Sequence, residues 1–392
     1  MQLLTLNTGS SSLKAALYQG ERGDAQALTI HAERIGHADA RIWIAAADKA
    51  TLLDEQRDLV DHAAALDALF SWLHDKYPEL ALDAVGHRLV HGGSRYRDPQ
   101  RITAEMVTAL HDLVPIDPEH LPQALAAIEV VTRGYPALPQ VACFDTAFHQ
   151  QMPSVARIYP LPREYRDAGL IRYGFHGLSY EYIMEMLRDI DPVAANGRVI
   201  IAHLGSGASM VAVRDGVGRD TTMGFTPTGG LVMGTRTGDL DPGVLLYLLT
   251  NHGLDAAALS ELVNKRSGLL GVSGTSGDMR DLLDRADTDP QARIAIDLFC
   301  YTARKYIGAL AAVLGGVDTL VFTGGIGERA APVRESICAE LAFLGVTLDA
   351  ERNAAHAPII SHAAGAVTIR VLPTDEDLMI ARHTAQIVSR KG

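Results

Sequence analysis

A chain of 392 residues that is 47% hydrophobic and 21% charged is long enough for two or three compact domains. Its formal charge of −12, with no Lys/Arg-rich block, excludes nucleic acid and anionic membrane as partners, because both would be repelled. Cys143, Cys300 and Cys338 are too far apart for a zinc motif and odd in number, so they fit buried thiols in a reducing, cytoplasmic setting. The polar residues among the first ten fit no signal peptide, and no apolar run is long enough to span a bilayer.

In chain order, LLTLN and SLKAALY are extended and flank a polar bend at residues 7–10. RIWIAAA is again extended, whereas VDHAAALDALFSWLHDKYPEL repeats apolar residues at helical spacing. DAVGHRLVHGG and QVACFDTAF follow as strands. Helices are expected over 103–114, 179–189, 243–253, 291–315 and 332–343, separating the strands VIIAHLG, SMVAVRDG, TLVFTGG and TIRVLPTDE. Such alternation predicts α/β layers with helices over a largely buried sheet. No low-complexity linker interrupts the chain, so any domain boundary falls in a short loop.

LTLNTGSSSLKAALYQG overlies IIAHLGSGASMVAVRDG without gaps from Leu4 to Ile200, an offset of 196 residues and half the chain. Gly9, Ser10, Ala16 and Gly20 meet Gly205, Ser206, Ala212 and Gly216. The strand ending at Gly92 and Gly93 is echoed by the one ending at Gly324 and Gly325. VACFDTAF and VLPTDEDLM both run into acidic groups. Two related halves that present the same loops to a shared cleft account for all three echoes. Backbone N–H groups of a Gly/Ser turn form an anion nest, and Ser12 and Lys14, two apart on a strand, share a face where an ammonium and a hydroxyl can join a phosphate. A plain hairpin with a solvated lysine is the competing reading of either copy alone.

No Walker string occurs. GGIGERA fits a dinucleotide fingerprint through Gly325, Gly327 and Ala330, with Asp349 as the later acid, but too little chain follows for that fold. Charged groups at strand ends are few: Arg88 between His87 and His91, then Asp145, His176, Arg236 and Glu376. His87 and His91 lack a third ligand nearby, which favours structural hydrogen bonding over a metal.

NTGSSSLK, GHRLVHGG, CFDTAFH, RYGFHG, GTRTGDLDPG and FTGGIGE, in this order, are similar to signatures of the acetate/propionate kinase family, within the actin-like and sugar-kinase superfamily. The resemblance implies a duplicated actin-like ATPase (ribonuclease H-like) fold, with two domains around a central cleft. One domain would hold residues 1–146 plus 378–392, and the other, 147–377, the nucleotide and a homodimer contact. The implied reaction is reversible in-line phosphoryl transfer from ATP to acetate, giving ADP and acetyl phosphate, with Mg2+, or Mn2+ in its place.

By the same resemblance Asn7 and Glu376 are metal-site residues, and Lys14, with Ser10 and Ser12, contacts nucleotide phosphate. An amide oxygen and a carboxylate suit magnesium better than imidazoles do. Arg88 would bind the acetate carboxylate with its planar fork. Acetate is already ionised and needs no base, so Asp145 is expected to orient or to polarise a metal. His176 and Arg236 resemble transition-state stabilisers, a role in which an arginine is worth roughly 10³ to 10⁵ in turnover. Further nucleotide contacts are implied at His203, Leu204, Gly205, Ser206 and Gly207, at Asp278, Met279 and Arg280, and at Gly324, Gly325, Ile326, Gly327 and Glu328. Val90, Phe175, Pro227 and Ile116 resemble the pocket for the substrate methyl group.

Departures from the family pattern are Ser206 and Arg329, each in place of the usual asparagine, TDEDL around Glu376, and VPIDPEHLP at 114–122, where a substrate-side histidine is usual. Ser206, the shorter donor, is expected to loosen contact with the β- and γ-phosphates; equal KM for ATP in the wild type and Ser206→Asn would contradict this. The alternatives are a propionate or other short-chain acyl kinase, an actin-like ATPase indifferent to acetate, and a nucleotide-binding regulator untouched by Arg236→Ala.

Overall fold

A computed structural model describes residues 1–20 and 23–390; residues 391 and 392, the end of the expected first domain, lie outside the described residues. The chain divides into two compact units, Met1–Ala147 with Asp375–Gly392, and Phe148–Thr374.

In the first unit, β1 (Gln2–Thr8) and β2 (Ser12–Gln19) form an antiparallel hairpin with Asn7 opposite Lys14. The alternation of the strands assigns their faces. Leu4, Leu6, Leu13, Ala15 and Leu17 enter the core under the His62–Lys76 helix, while Leu3, Ala16 and Tyr18 pack with Ala381 and Ala385 of the Glu376–Ser389 helix. β3 (Ala25–Glu33), β4 (Arg41–Ala46) and β5 (Thr51–Gln56) extend one edge; β6 (Ala84–Leu89), β7 (Gln100–Arg101) and β8 (Gln140–Phe144) complete the sheet in the order β5-β4-β3-β2-β1-β6-β8-β7. Gly86 on β6 sets the depth of the Glu376–Ser389 helix. A Cβ there would fall 2.2 Å from Thr384 Oγ1 and 2.6 Å from Ile380 Cγ2, so only glycine lets the helix lie this close and bring Glu376 to the strand ends.

The second unit repeats the plan with β9 (Arg198–Leu204), β10 (Ala208–Arg214), β11 (Val217–Thr221), β12 (Thr319–Thr323) and β13 (Thr368–Val371), ordered β11-β10-β9-β12-β13. β9 is β1 displaced by the offset found in the sequence, and the two strands share one pattern of buried and part-buried positions. Both hairpins are antiparallel, and both are followed by two parallel additions, β6 and β8 in one unit and β12 and β13 in the other. The sequence repeat is therefore a repeat of structure.

Some elements differ from expectation for identifiable reasons. The Leu121–Gly134 helix lies outside the expected elements; its Pro122 occupies the first turn, where a missing N–H costs nothing. The expected 332–343 helix stops at Cys338. The glycines of GGIGERA do not form a turn ahead of a helix; the helix Gly324–Arg329 starts on them directly after β12. β3, although Leu28, Ile30 and Ala32 alternate with polar residues, and the short, polar β11 also lie outside the expected strands.

Candidate active site

In the first unit, Arg88 near the end of β6 meets Asp145, one residue beyond β8. Arg88 Nη2 donates to Asp145 Oδ2 at 2.6 Å and Nε to Oδ1 at 3.0 Å, while Nη1 donates to Asn7 Oδ1 at 3.0 Å. Glu376 Oε2 stands 3.9 Å from Arg88 Nε. Asp145 is 1% exposed and Arg88 18%, so this pair is largely desolvated. Burial opposes the charge of Arg88, but Asp145 and then Glu376 outweigh it and hold the guanidinium above its ordinary pKa. Burial likewise pushes the Asp145 carboxyl up, against Arg88, whose charge and three hydrogen bonds favour the anion. His120, which the 114–122 loop does carry, lies close enough to Asp145 to favour its anion and is hydrogen-bonded through Nδ1 to buried Asp117 at 2.8 Å. Ile116 in the same loop is half-buried and Val90 buried.

Among the described residues, no group of three or more His, Cys, Asp and Glu is arranged to hold a metal ion. Buried His91 accepts the Gly93 N–H through Nδ1. Burial, with Glu376 and Asp375 adjacent, pushes the Asp377 carboxyl up to about 7, and its Oδ1 is buried without a partner. Asn7, Glu376 and Asp377 carry only oxygen acceptors, the donor type that a hard ion keeping several of its waters prefers. Lys14 and Ser10 are exposed and Ser12 half-buried, and the bend between β1 and β2 is tied down by His62 Nε2, 2.8 Å from Gly9 O, a tether no local motif announces.

In the second unit, His176 caps the Gly177–Ile190 helix from a left-handed conformation, φ 58°, which costs a non-glycine residue about 1–3 kcal/mol. Its ring stacks on His203 with centroids 4.3 Å apart. Two imidazolium charges at about that distance would repel by about 4 kcal/mol at an effective dielectric of 20. Arg236 Nη1 donates to Pro227 O at 2.7 Å. A Cβ at Gly207, in the β9–β10 turn, would lie 3.0 Å from Arg236 Nη2 and 3.3 Å from His176 Nε2, so both donors converge on that turn. The irregular chain around Arg236 is braced by Asp239, whose Oδ1 accepts the Gly230 N–H at 2.7 Å and whose Oδ2 accepts the Tyr306 hydroxyl. Phe175 and Pro227 are buried, and the Phe175 carbonyl is held by His149 Nε2 at 2.9 Å.

Beside that turn a cavity of about 470 Å³ is lined by Gly205, Ser206, Asp278, Met279, Arg280, Gly325 and Ile326, all named from sequence, and by Gly234, Thr235, Leu283, Arg329 and Pro332 among others. That volume is in the range of small-molecule sites. Leu204 is fully buried and can offer only its backbone. Glu328 Oε1 accepts the Gly324 N–H at 3.0 Å, and Gly324 and Gly327 are buried against β9, so these three shape the cavity wall from behind its lining.

Residues 2–382 match the model of the Acetokinase family. The chain is 45% identical over 399 residues to an acetate kinase of Methylocella silvestris, covering 99% of this chain and 98% of the relative. It is 47% identical over 387 residues to one of Rhodopseudomonas palustris, covering 97% of each. Its fold matches the crystal structure of Porphyromonas gingivalis acetate kinase with a TM-score of 0.87 at 39% identity, and that of a propionate kinase from Francisella tularensis with 0.92 at 36%, each over 98% of this chain and 99% of the other. The chain carries the duplicated actin-like fold of these kinases and belongs to the acetokinase family, phosphotransferases whose acceptor is a carboxylate.

Proposed function

We propose that this chain transfers the γ-phosphoryl group of ATP to acetate, reversibly and in line, with Arg88, Asp145, His176 and Arg236 as the residues that touch the reacting groups. The observation that carries this reading is the convergence of Arg236 Nη2 and His176 Nε2 on Gly207, beside a cavity of nucleotide size. Charge spread over an in-flight phosphoryl group is stabilised by donors already in place, which need no reorganisation during the reaction.

Arg88 presents five N–H donors, of which three are engaged with Asp145 and Asn7, leaving two for an acetate carboxylate. Acetate is ionised at neutral pH, so no base is required; Asp145 fixes the guanidinium plane and with it the direction of the attacking oxygen. Ser206, Asp278, Arg280 and the glycines of the cavity wall bind the nucleotide in this reading, and Lys14, Ser10 and Ser12 hold its terminal phosphates. Asn7 and Glu376, with Asp377 behind them, would hold Mg2+ or Mn2+, which when bound neutralises phosphate charge. Val90, Ile116, Phe175 and Pro227 are the proposed contacts of the acyl chain.

A propionate kinase is the second reading, favoured by the close fit to the Francisella tularensis enzyme. One methylene discriminates by about 1–3 kcal/mol, so both acids should react at different rates. Hydroxylamine trapping with ATP and acetate, propionate or butyrate should give hydroxamate most rapidly with acetate. Faster trapping with propionate selects the second reading, and no hydroxamate with any acid refutes both.

A homodimer and a cytoplasmic setting complete the proposal. The Pro242–Asn251 helix buries none of its residues and exposes Val244, Leu246, Tyr247 and Leu249, and the Pro290–Leu314 helix exposes Ile294, Leu298 and Tyr301 along one stripe. Sedimentation at twice the monomer mass in the wild type, and at the monomer mass in Leu246→Asp, is expected; a monomeric wild type rejects it. Among the described residues no helix is long and apolar enough to cross a membrane.

A further inference from the structure

His176 Nδ1 lies 2.8 Å from Ser209 Oγ, and Ser209 Oγ in turn is within hydrogen-bond reach of the Tyr180 hydroxyl. Ser209 and Tyr180 are both fully buried, Ser209 on β10 and Tyr180 one turn along the helix that His176 caps. A parallel arrangement serves the stacked partner ring: Thr374 Oγ1 donates to Ser179 Oγ at 2.8 Å, and Ser179 Oγ is 2.8 Å from His203 Nδ1. Each imidazole thus has its Nδ1 on a serine that is itself backed by a second hydroxyl.

A hydroxyl has one proton to give. With Thr374 donating to Ser179, the Ser179 proton is directed to His203 Nδ1. A phenol is a better donor and a poorer acceptor than an aliphatic alcohol, so Tyr180 donates to Ser209 and the Ser209 proton goes to His176 Nδ1. An imidazole that accepts at Nδ1 carries its own proton at Nε2. The Nε2 atoms of both rings lie by the β9–β10 turn, His176 beside Gly207 and His203 near Gly205. The Arg236 guanidinium reaches the same turn, with Nη2 beside Gly207.

We propose that Tyr180 and Ser209 are positioning residues: their hydroxyl relay holds the neutral His176 ring as the Nε2–H tautomer, so that it presents a fixed N–H to the phosphoryl group. Resting on the kinase reading, this adds to it the protonation state of His176 and the residues that set it. A plain structural role for the two hydroxyls, satisfying one another in a packed interior, would leave the tautomer indifferent to them.

Long-range ¹H–¹⁵N correlation on the full-length protein labelled at histidine reads the tautomer directly, with His176→Gln identifying the signals by their loss. The wild type should show a protonated Nε2 and a bare Nδ1 for His176, whether or not it makes acyl phosphate, so failure of the kinase reading is told apart from failure of this one. Ser209→Ala should populate the Nδ1–H tautomer and lower kcat about 10-fold with KM for ATP and acetate unchanged, a smaller loss than the roughly 10²–10³-fold expected when such a donor is removed outright. Tyr180→Phe, which keeps the ring packing, should move both readouts in the same direction by less, and Ser209→Thr, which keeps the hydroxyl, should restore the wild-type tautomer. A wild-type His176 protonated at Nδ1, an unchanged tautomer in Ser209→Ala, or a shifted tautomer with unchanged kcat would each overturn the proposal.

Discussion

Gly207 shows how tightly the donor pair is built. Its backbone has no positive φ, so alanine is conformationally acceptable, yet the added methyl would meet Arg236 Nη2 at 3.0 Å and His176 Nε2 at 3.3 Å. Gly207→Ala should therefore keep its thermal midpoint within a few degrees while kcat falls roughly 10²-fold, the scale of misplacing one donor. Unchanged turnover would mean that neither nitrogen acts at this point. The sequence pointed to Arg88, Asp145, His176 and Arg236 one at a time, because each is a charged or titratable group set among glycines or at a strand end. That Arg88 and Asp145 are one ion pair was not legible, since 57 residues separate them and only the β6–β8 pairing joins them. Tyr180 and Tyr306 gave no signal, and Asp239 and Ser209, although inside the GTRTGDLDPG and IIAHLGSGASMVAVRDG stretches, carried no assignable role, because the meaning of each lies in a partner far along the chain.

At the scale of elements, the helix Gly324–Arg329 depends on a residue outside it. Arg334 is fully buried, donating from Nη1 to Gly327 O at 2.8 Å and Glu328 O at 2.9 Å, and from Nε and Nη2 to Asn353 at 2.8 and 2.9 Å. Its acceptors are all neutral oxygens: two are carbonyls near the C-terminal end of that helix, where the helix dipole favours a cation, and two belong to Asn353 of the Ala350–Ala354 helix. Arg334→Leu leaves these oxygens without their donor and should cost about 3 kcal/mol, with a several-fold rise in KM for ATP because the cavity wall loosens. Loss of stability with unchanged KM would show that the clamp does not reach the nucleotide side. In the sequence Arg334 looks like one more charge on a helix. The hairpins, in contrast, were legible as strand–bend–strand units at a fixed offset, because the order of apolar residues in β1 is repeated in β9.

At the scale of the molecule, each unit hides a neutral histidine, and the two together set a pH dependence. Burial pushes both His87, in the first unit, and His149, in the second, down to about 4, well below the usual imidazole range. Between about pH 6.5 and 4 the unfolded chain binds protons that the folded chain refuses, so stability falls as pH falls through that window. A shift of this size corresponds to about 3 kcal/mol per histidine once pH is below both values. Urea unfolding of the wild type between pH 7.5 and 4, compared with His87→Asn together with His149→Asn, should show the steeper acid loss in the wild type; parallel curves would refute the assignment. The duplication itself was legible from the half-length repeat, since two copies of one fold keep their loops at the same offset. The measurement that tests the central claim most directly is ADP release from ATP with and without acetate, followed together with acetyl phosphate. Turnover should depend on acetate and produce one acetyl phosphate per ADP, whereas hydrolysis of ATP at the same rate without acetate would contradict the account.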